Sequence, residues 1–223
     1  TDGKFVVIGD VSMSSDNDGF TYLERLSADG QTDLSYGFEG LAMFAKLMPS
    51  GYLRTGAMQP DNKVLFFEYD ENNQTATISK LIRVDTNGTI DETFGTNGEV
   101  VFESDNGSSW ALVGLTIQPD GKIIVTGIYG ETAGQIDGNL VVARLRSDGS
   151  PDYTFGSDGV AVIEAIPNLY GLEVVIQPNG QILISGLQLA SDASNIEEFL
   201  VRLNATRPVS INGLTPSRLA DTR

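Results

Sequence analysis

The side chains of this sequence that are equipped for chemistry are nearly all oxygen donors. Ser15-Asp16-Asn17-Asp18-Gly19 crowds carboxylates and an amide beside a turn glycine. Asp85-Thr86-Asn87-Gly88, followed by Asp91 and Glu92, offers a second set, and Ser147, Asp148 and Asp152 echo it. Calcium selects about six to eight oxygens from flexible loops of this kind. Asp16, Asp18, Asp85, Asn87 and Asp91 are therefore the candidate metal ligands, and calcium is the candidate cofactor. None of these stretches completes the EF-hand loop with its terminal bidentate Glu. Asp, Asn and Gly are also the ordinary turn formers, so turn building is the competing role for the same residues.

Three aromatic residues form the second candidate group. Tyr52, Trp110 and Tyr170 each stand seven or eight residues before a Gln-Pro pair. Gathered on one rim, they would make a stacking surface for a sugar or another protein. Packed between sheets, they would be core. Other chemistry is excluded by composition. The chain has no Cys and no His, so it lacks a thiolate nucleophile, a Cys-type zinc site, the usual neutral-pH base and a Ser-His-Asp triad.

The elements that must position these residues come from a repeat. QPDGKIIVTG at 118–127 returns as QPDNKVLFFE from Gln59 and as QPNGQILISG from Gln177, and the chain opens with TDGKFVVIG. Asp2, Asp61, Asp120 and Asn179 are each 59 residues apart. A second anchor follows each first one, at YLERLSADGQTDLSYGFEG from Tyr22, LIRVDTNGTIDETFGTNG from Leu81 and VARLRSDGSPDYTFGSDG from Val142. A fourth copy starts at Phe199 and then leaves the pattern.

Each period holds four short apolar runs, in the third KIIVTGIY, NLVVARL, GVAVIEAI and GLEVVIQ. They are rich in Val and Ile and punctuated by Gly, Asn, Asp and Ser, which predicts strands. Several are nearly continuous rather than alternating, as expected where sheets stack and a strand is covered on both faces. Asp120-Gly121 and Asn179-Gly180 predict two-residue hairpins. The expected fold is all-β and β-propeller-like, with four-stranded antiparallel blades, a ~59-residue repeat and about three and a half repeats. A chain that opens inside one repeat and leaves the pattern inside another reads as an incomplete propeller, either a piece of a larger one or one completed by a second copy. Residues 1–205 form the repeat domain. Residues 206–223 are a polar, Pro-containing tail.

The motif Q-P-D-G-K, the R-L…D-G…D…F-G…G segment and the period resemble the delta-60 repeats of bacterial secreted and surface proteins, over roughly residues 1–204. The sequence departs from that pattern at Asn62 and Gln181, which stand for Gly and Lys, and again after Leu203. The resemblance implies a propeller-like extracellular scaffold or binding role, and it carries no catalytic residue onto this chain.

The recurring residues have structural work to do. Seven of the 14 basic residues sit at repeat positions, namely Lys4, Lys63, Lys122 and the arginines 25, 83, 144 and 202. The recurring Arg is expected to pair with a recurring Asp and hold one blade's loop to the next. Glu24, Glu68 and Glu173 break the repeat, which is how a carboxylate pair for glycoside hydrolysis would look if grafted on a symmetric scaffold.

With 30 acidic and 14 basic residues the net charge is −16, which repels a phosphate backbone and argues against nucleic acid. No apolar run is long enough for a transmembrane helix, so membrane insertion is not expected. The expected function is a non-catalytic, secreted or cell-surface propeller module for binding, adhesion or scaffolding, with a protein or glycan as partner. The alternatives are a self-associating structural subunit, pairing through blade edges, and a carboxylate-dependent glycan-active enzyme.

Overall fold

The computed structural model describes residues 3–12, 19–45, 51–70, 78–102, 109–130, 138–163, 169–189 and 196–204, and every described element is a strand or a turn. The strands form four antiparallel meanders. Blade A contains β1 (Phe5–Ser12), β2 (Gly19–Leu26) and β3 (Leu41–Ala45). Blade B contains β4 (Gly51–Met58), β5 (Val64–Asp70), β6 (Ile78–Val84) and β7 (Glu99–Phe102). Blade C contains β8 (Ser109–Ile117), β9 (Ile123–Gly130), β10 (Asn139–Leu145) and β11 (Val160–Ile163). Blade D contains β12 (Leu169–Ile176), β13 (Ile182–Leu189) and β14 (Ile196–Leu203). The strands fall into two compact units, β1–β7 and β8–β14.

The four-stranded antiparallel blade is as expected, but its phase relative to the repeat is not the one the anchors suggest. The last run of the third period, GLEVVIQ, does not close blade C. It lies in β12, the first strand of blade D. The Gln-Pro pair is thus the corner between a blade's first and second strands.

Burial explains the continuous apolar runs. Val64, Leu65, Phe66 and Phe67 of β5 are all buried, and so are Ile123–Val125 and Leu140–Ala143 in blade C. These strands lie at the centre of their sheets and carry apolar residues on both faces. The edge strand β11 alternates instead, with Ala161 and Ile163 buried and Val162 exposed.

In the first unit Leu23, Tyr36 and Ala42 of blade A pack on Val64, Phe66 and Ile82 of blade B. Phe44 stacks on Phe66 with ring centroids 6.4 Å apart. In the second unit Ile124, Leu140, Val142 and Phe155 face Ile182, Ile184, Phe199 and Val201. Face-to-face burial of this kind is the main stabilising term, at about 25 cal/mol per Å² of apolar surface.

The hairpin turn differs from expectation. Gly121 N donates to Gln118 O, and Gln118 N donates to Lys122 O. Of the loop residues only Gly121 has positive φ, at 83°. A two-residue type I′ loop needs positive φ at both centres. Asp120 is not in that region, and Pro119, which has no N–H, cannot close a two-residue loop against Lys122. The loop is therefore a three-residue one, a type I turn closed by a left-handed residue. Asn62 takes that position in blade B at φ 67°, and Asn tolerates this region better than other non-glycine residues.

The first strands of blades B, C and D each carry an irregularity at one place. The register shifts between Leu53 and Gly56, between Leu112 and Gly114, and between Tyr170 and Glu173. Among the described residues every sheet ends on two edge strands, and blades A and D have three strands where B and C have four, with β1 an edge of blade A and β14 an edge of blade D.

Candidate functional site

The recurring charges assemble into one cluster, built three times. In blade B the Arg83 Nε–H donates to Asp91 Oδ2 at 2.8 Å, and Lys63 Nζ donates to the same oxygen at 2.6 Å. The other oxygen, Asp91 Oδ1, accepts from Thr93 N at 3.1 Å and from Thr93 Oγ1 at 2.6 Å. The guanidinium lies over the Phe94 ring, 4.5 Å from its centroid. Blade A repeats this with Arg25, Lys4, Asp33, Ser35 and Tyr36. Blade C repeats it with Arg144, Lys122, Asp152, Thr154 and Phe155. There Arg144 Nε meets Asp152 Oδ2 at 2.7 Å and Lys122 Nζ stands 3.4 Å away.

The backbone sets the spacing. The Asp N–H donates to the carbonyl of the Arg eight residues earlier, and the aromatic N–H donates to the Asp carbonyl, in all three copies. The glycine after the aromatic residue has φ of 58°, 54° and 54° at Gly37, Gly95 and Gly156. A Cβ there would run into the carbonyls of Leu41, Glu99 and Val160, so these positions admit only glycine.

The electrostatics follow from the packing. Burial alone would raise the Asp152 carboxyl. The hydrogen bonds from Thr154 and the charges of Arg144 and Lys122 outweigh it and bring the pKa down to about 2. Asp91 is depressed in the same way, by Lys63 and Thr93 against the cost of burial. At Asp33 the Lys4 ammonium and the Ser35 hydroxyl hold the carboxyl well below its usual range. Burial pushes the Tyr36 phenol up to about 12. These carboxylates stay ionised at neutral pH with both oxygens engaged, so they serve as braces rather than as acids, bases or open ligands.

The pairing expected of the recurring Arg and Asp occurs within a repeat. The link to the neighbouring blade, in the first unit, runs through backbone instead. Arg25 Nη1 donates to Thr86 O, and Gly37 N donates to Asn87 O at 2.8 Å. The Asp85–Thr89 turn of blade B is thus the cap on blade A's brace.

That turn contains most of the described calcium candidates. Asp85 Oδ1 accepts from Thr86 N at 2.7 Å. Asn87 Oδ1 accepts from Thr89 N at 3.0 Å and Thr89 Oγ1 at 2.8 Å. Asp91 belongs to the brace. Asp16 and Asp18 lie outside the described residues. Among the described residues no three acidic side chains converge on one point.

The aromatic candidates occupy equivalent backbone positions. Tyr52, Trp110 and Tyr170 are each the second residue of a blade's first strand. Trp110 is partly buried and packs edge-on against Tyr129, its cross-strand partner, with centroids 5.2 Å apart. The side chains of Tyr52 and Tyr170 lie outside the described residues. The three repeat-breaking glutamates have separate surroundings. Glu24 accepts from Thr32 Oγ1 at 3.0 Å. Glu68 is 1% exposed and accepts from Thr21 Oγ1 of blade A at 2.8 Å. Glu173 is exposed.

Sequence reasoning anticipated the Arg–Asp pair and missed the lysine and the aromatic ring that complete it. The signal was present, since Lys4, Lys63 and Lys122 recur at the same spacing as the aspartates.

A family model described as a domain of unknown function (DUF5122), β-propeller, matches residues 118–155. That stretch holds the Gln-Pro corner, β9, β10 and the brace of blade C. Its blade is a β-propeller repeat. The described residues are accordingly all-β, in propeller-like antiparallel sheets. No curated protein matches it. Among solved structures, it is similar to Drosophila Plexin A in complex with Semaphorin 1b, at 11% identity and a TM-score of 0.38, covering 90% of this chain and 39% of that one. It is also similar to a protein of unknown function from Dyadobacter fermentans, at 10% identity and a TM-score of 0.32, covering 91% of this chain and 80% of that one.

Proposed function

We propose that this chain is a non-catalytic β-propeller module that works as a binding or adhesion scaffold, secreted or at the cell surface, with a protein or glycan as its partner. The observation that carries the reading is the fate of the recurring charges. In all three complete braces Lys, Arg and Asp satisfy one another inside the blade. The repeated chemistry is spent on architecture, and binding is left to positions that differ between blades. The resemblance to delta-60 repeats supports an extracellular setting. The net charge of −16 argues against a nucleic-acid partner, and no described helix is long and apolar enough to cross a membrane.

The experiment is a Trp110→Ala variant tested against surface glycans and candidate protein partners. Loss of binding with an unchanged melting temperature supports a surface role for the strand-start aromatics. Unfolding of the variant assigns Trp110 to the core, and binding that persists in a folded variant moves the site elsewhere.

One observation favours a second reading, self-association into a structural subunit. The unpaired edge β1 exposes Phe5, Val7 and Val11, and the unpaired edge β14 exposes Ile196. Open edges with apolar side chains are templates for strand pairing. That reading predicts oligomers or filaments, whereas a ligand-binding module predicts a monomer. The enzyme reading predicts turnover of a glycoside that Glu173→Gln abolishes.

A further inference from the structure

Blade D departs from the brace of the other blades, and a cleft lies beside the departure. Where the other repeats carry Lys4, Lys63 and Lys122, the fourth carries Gln181, and at the position of Asp85 it carries Asn204. In blade B, Lys63 and Asp85 approach to 3.9 Å as an ion pair. In blade D, Gln181 Nε2 donates to Asn204 Oδ1 at 2.8 Å. A neutral amide contact thus stands where blade B has a charged one. Asn179 Nδ2 in turn donates to Gln181 Oε1 at 2.8 Å. This chain of amides lines one side of a cleft of about 280 Å³, and the Gln118–Lys122 corner of blade C lines the other.

The blade C side holds a buried acceptor without a donor. Gln118 is 6% exposed, lines the cleft, and its Oε1 has no hydrogen-bond partner. The same oxygen of Gln59, in blade B, accepts from Arg83 Nη1 at 3.5 Å. A buried polar atom left in this state calls for a partner. The two cations at the cleft are already balanced. Lys122 Nζ stands 3.3 Å from Asp120 and 3.4 Å from Asp152, and Arg144 Nε stands 2.7 Å from Asp152. The site therefore exerts little pull on an anion. It asks for a neutral group that donates to Gln118 Oε1 while accepting from the amide N–H groups opposite. Hydroxyls do both at once.

We infer that this cleft binds a neutral polyhydroxylated ligand, the size of a single sugar ring, between the Gln118 corner and the Asn179–Gln181–Asn204 amides. The site is distinct from the strand-start aromatics. Trp110 is the second residue of β8 and Gln118 follows its last, which separates them by roughly 25 Å along an extended strand.

The test is a ¹⁵N NMR titration of the whole chain with the methyl pyranosides of glucose, galactose and mannose, each to about 100 mM, with methyl glucuronide as the charged control. At least one neutral pyranoside is expected to shift the side-chain amides of Gln118, Asn179, Gln181 and Asn204 saturably, with a Kd on the order of 1–10 mM. The double variant Gln181→Lys/Asn204→Asp restores the ion pair found in blade B. It is expected to fold with an unchanged melting temperature and to weaken binding at least tenfold. Should the double variant not fold, Gln118→Leu serves, since it removes the unpartnered acceptor. The inference is overturned if none of the three pyranosides shifts these amides, if the glucuronide binds more tightly than they do, or if the folded variants bind as well as the parent.

Discussion

Asp152→Asn probes the brace with almost no change of shape. Asp152 is 2% exposed and Arg144 is 4% exposed, so neither charge is neutralised by solvent when its partner goes. The carboxyl sits at about 2 in the folded protein against an ordinary value of 3.8. That difference corresponds to about 2 kcal/mol of stability at neutral pH. Breaking a buried ion pair from one side costs about 3–5 kcal/mol, because the remaining charge is stranded. The expected loss is thus about 3 kcal/mol. The matched control is Asp120→Asn, whose carboxylate also touches Lys122, at 3.3 Å, but is 55% exposed. An exposed pair is worth under about 1 kcal/mol. Trp110, the sole tryptophan, lies in the same blade and reports urea unfolding by fluorescence. A depressed carboxyl contributes stability above its unfolded pKa and loses it as pH falls through the folded one. The gap between parent and Asp152→Asn should therefore narrow by about 2 kcal/mol between pH 6 and pH 2. If Asp152→Asn costs no more than Asp120→Asn, or if the gap does not narrow in acid, the brace is not what holds the blade.

Three further outcomes follow from the same geometry. Tyr36 occupies the place of Phe94 and Phe155, and its buried hydroxyl has no partner. Tyr36→Phe should therefore leave stability unchanged or raise it by up to about 1 kcal/mol in thermal unfolding. Gly180 has φ of 80° with open space around it, so Gly180→Ala should cost only the backbone penalty, about 1–2 kcal/mol. Gly156→Ala should cost distinctly more, because its Cβ also meets the Val160 carbonyl. Calorimetry with millimolar calcium tests the Asp-rich loops. Heat that disappears in Asp16→Asn/Asp18→Asn would place an ion at the first loop, and no heat at all would leave none of the five candidate residues a calcium ligand.

The fold was legible because its signal is redundant. Two anchors at one fixed spacing, with Val- and Ile-rich runs between them, leave little room for any architecture but stacked antiparallel blades. The phase was not legible. Nothing in GLEVVIQ says that the strand crosses to the next sheet, since pairing partners are set by tertiary contact and not by local pattern. The Asp-Gly pair alone implies a two-residue hairpin, and Pro119 before it, lacking an N–H, lengthens the loop by one residue. At the candidate site, recurrence alone pointed to Lys63, Arg83 and Asp91. It could not reveal that all three meet at one carboxylate, because Lys63 and Asp91 are 28 residues apart and come together only across the sheet. The substitutions that break the repeat carried a different message. Gln181 and Asn204 look like decay of the motif when read singly. As a hydrogen-bonded pair they stand where blade B has the Lys63–Asp85 ion pair.

The most direct test of the binding-module reading is the mass of the chain in solution, by light scattering, once with calcium and once with EDTA. The account predicts one species near the chain mass of 23.9 kDa in both buffers. A dimer, a larger assembly or a calcium-dependent change in mass would contradict it and make strand-edge assembly the function.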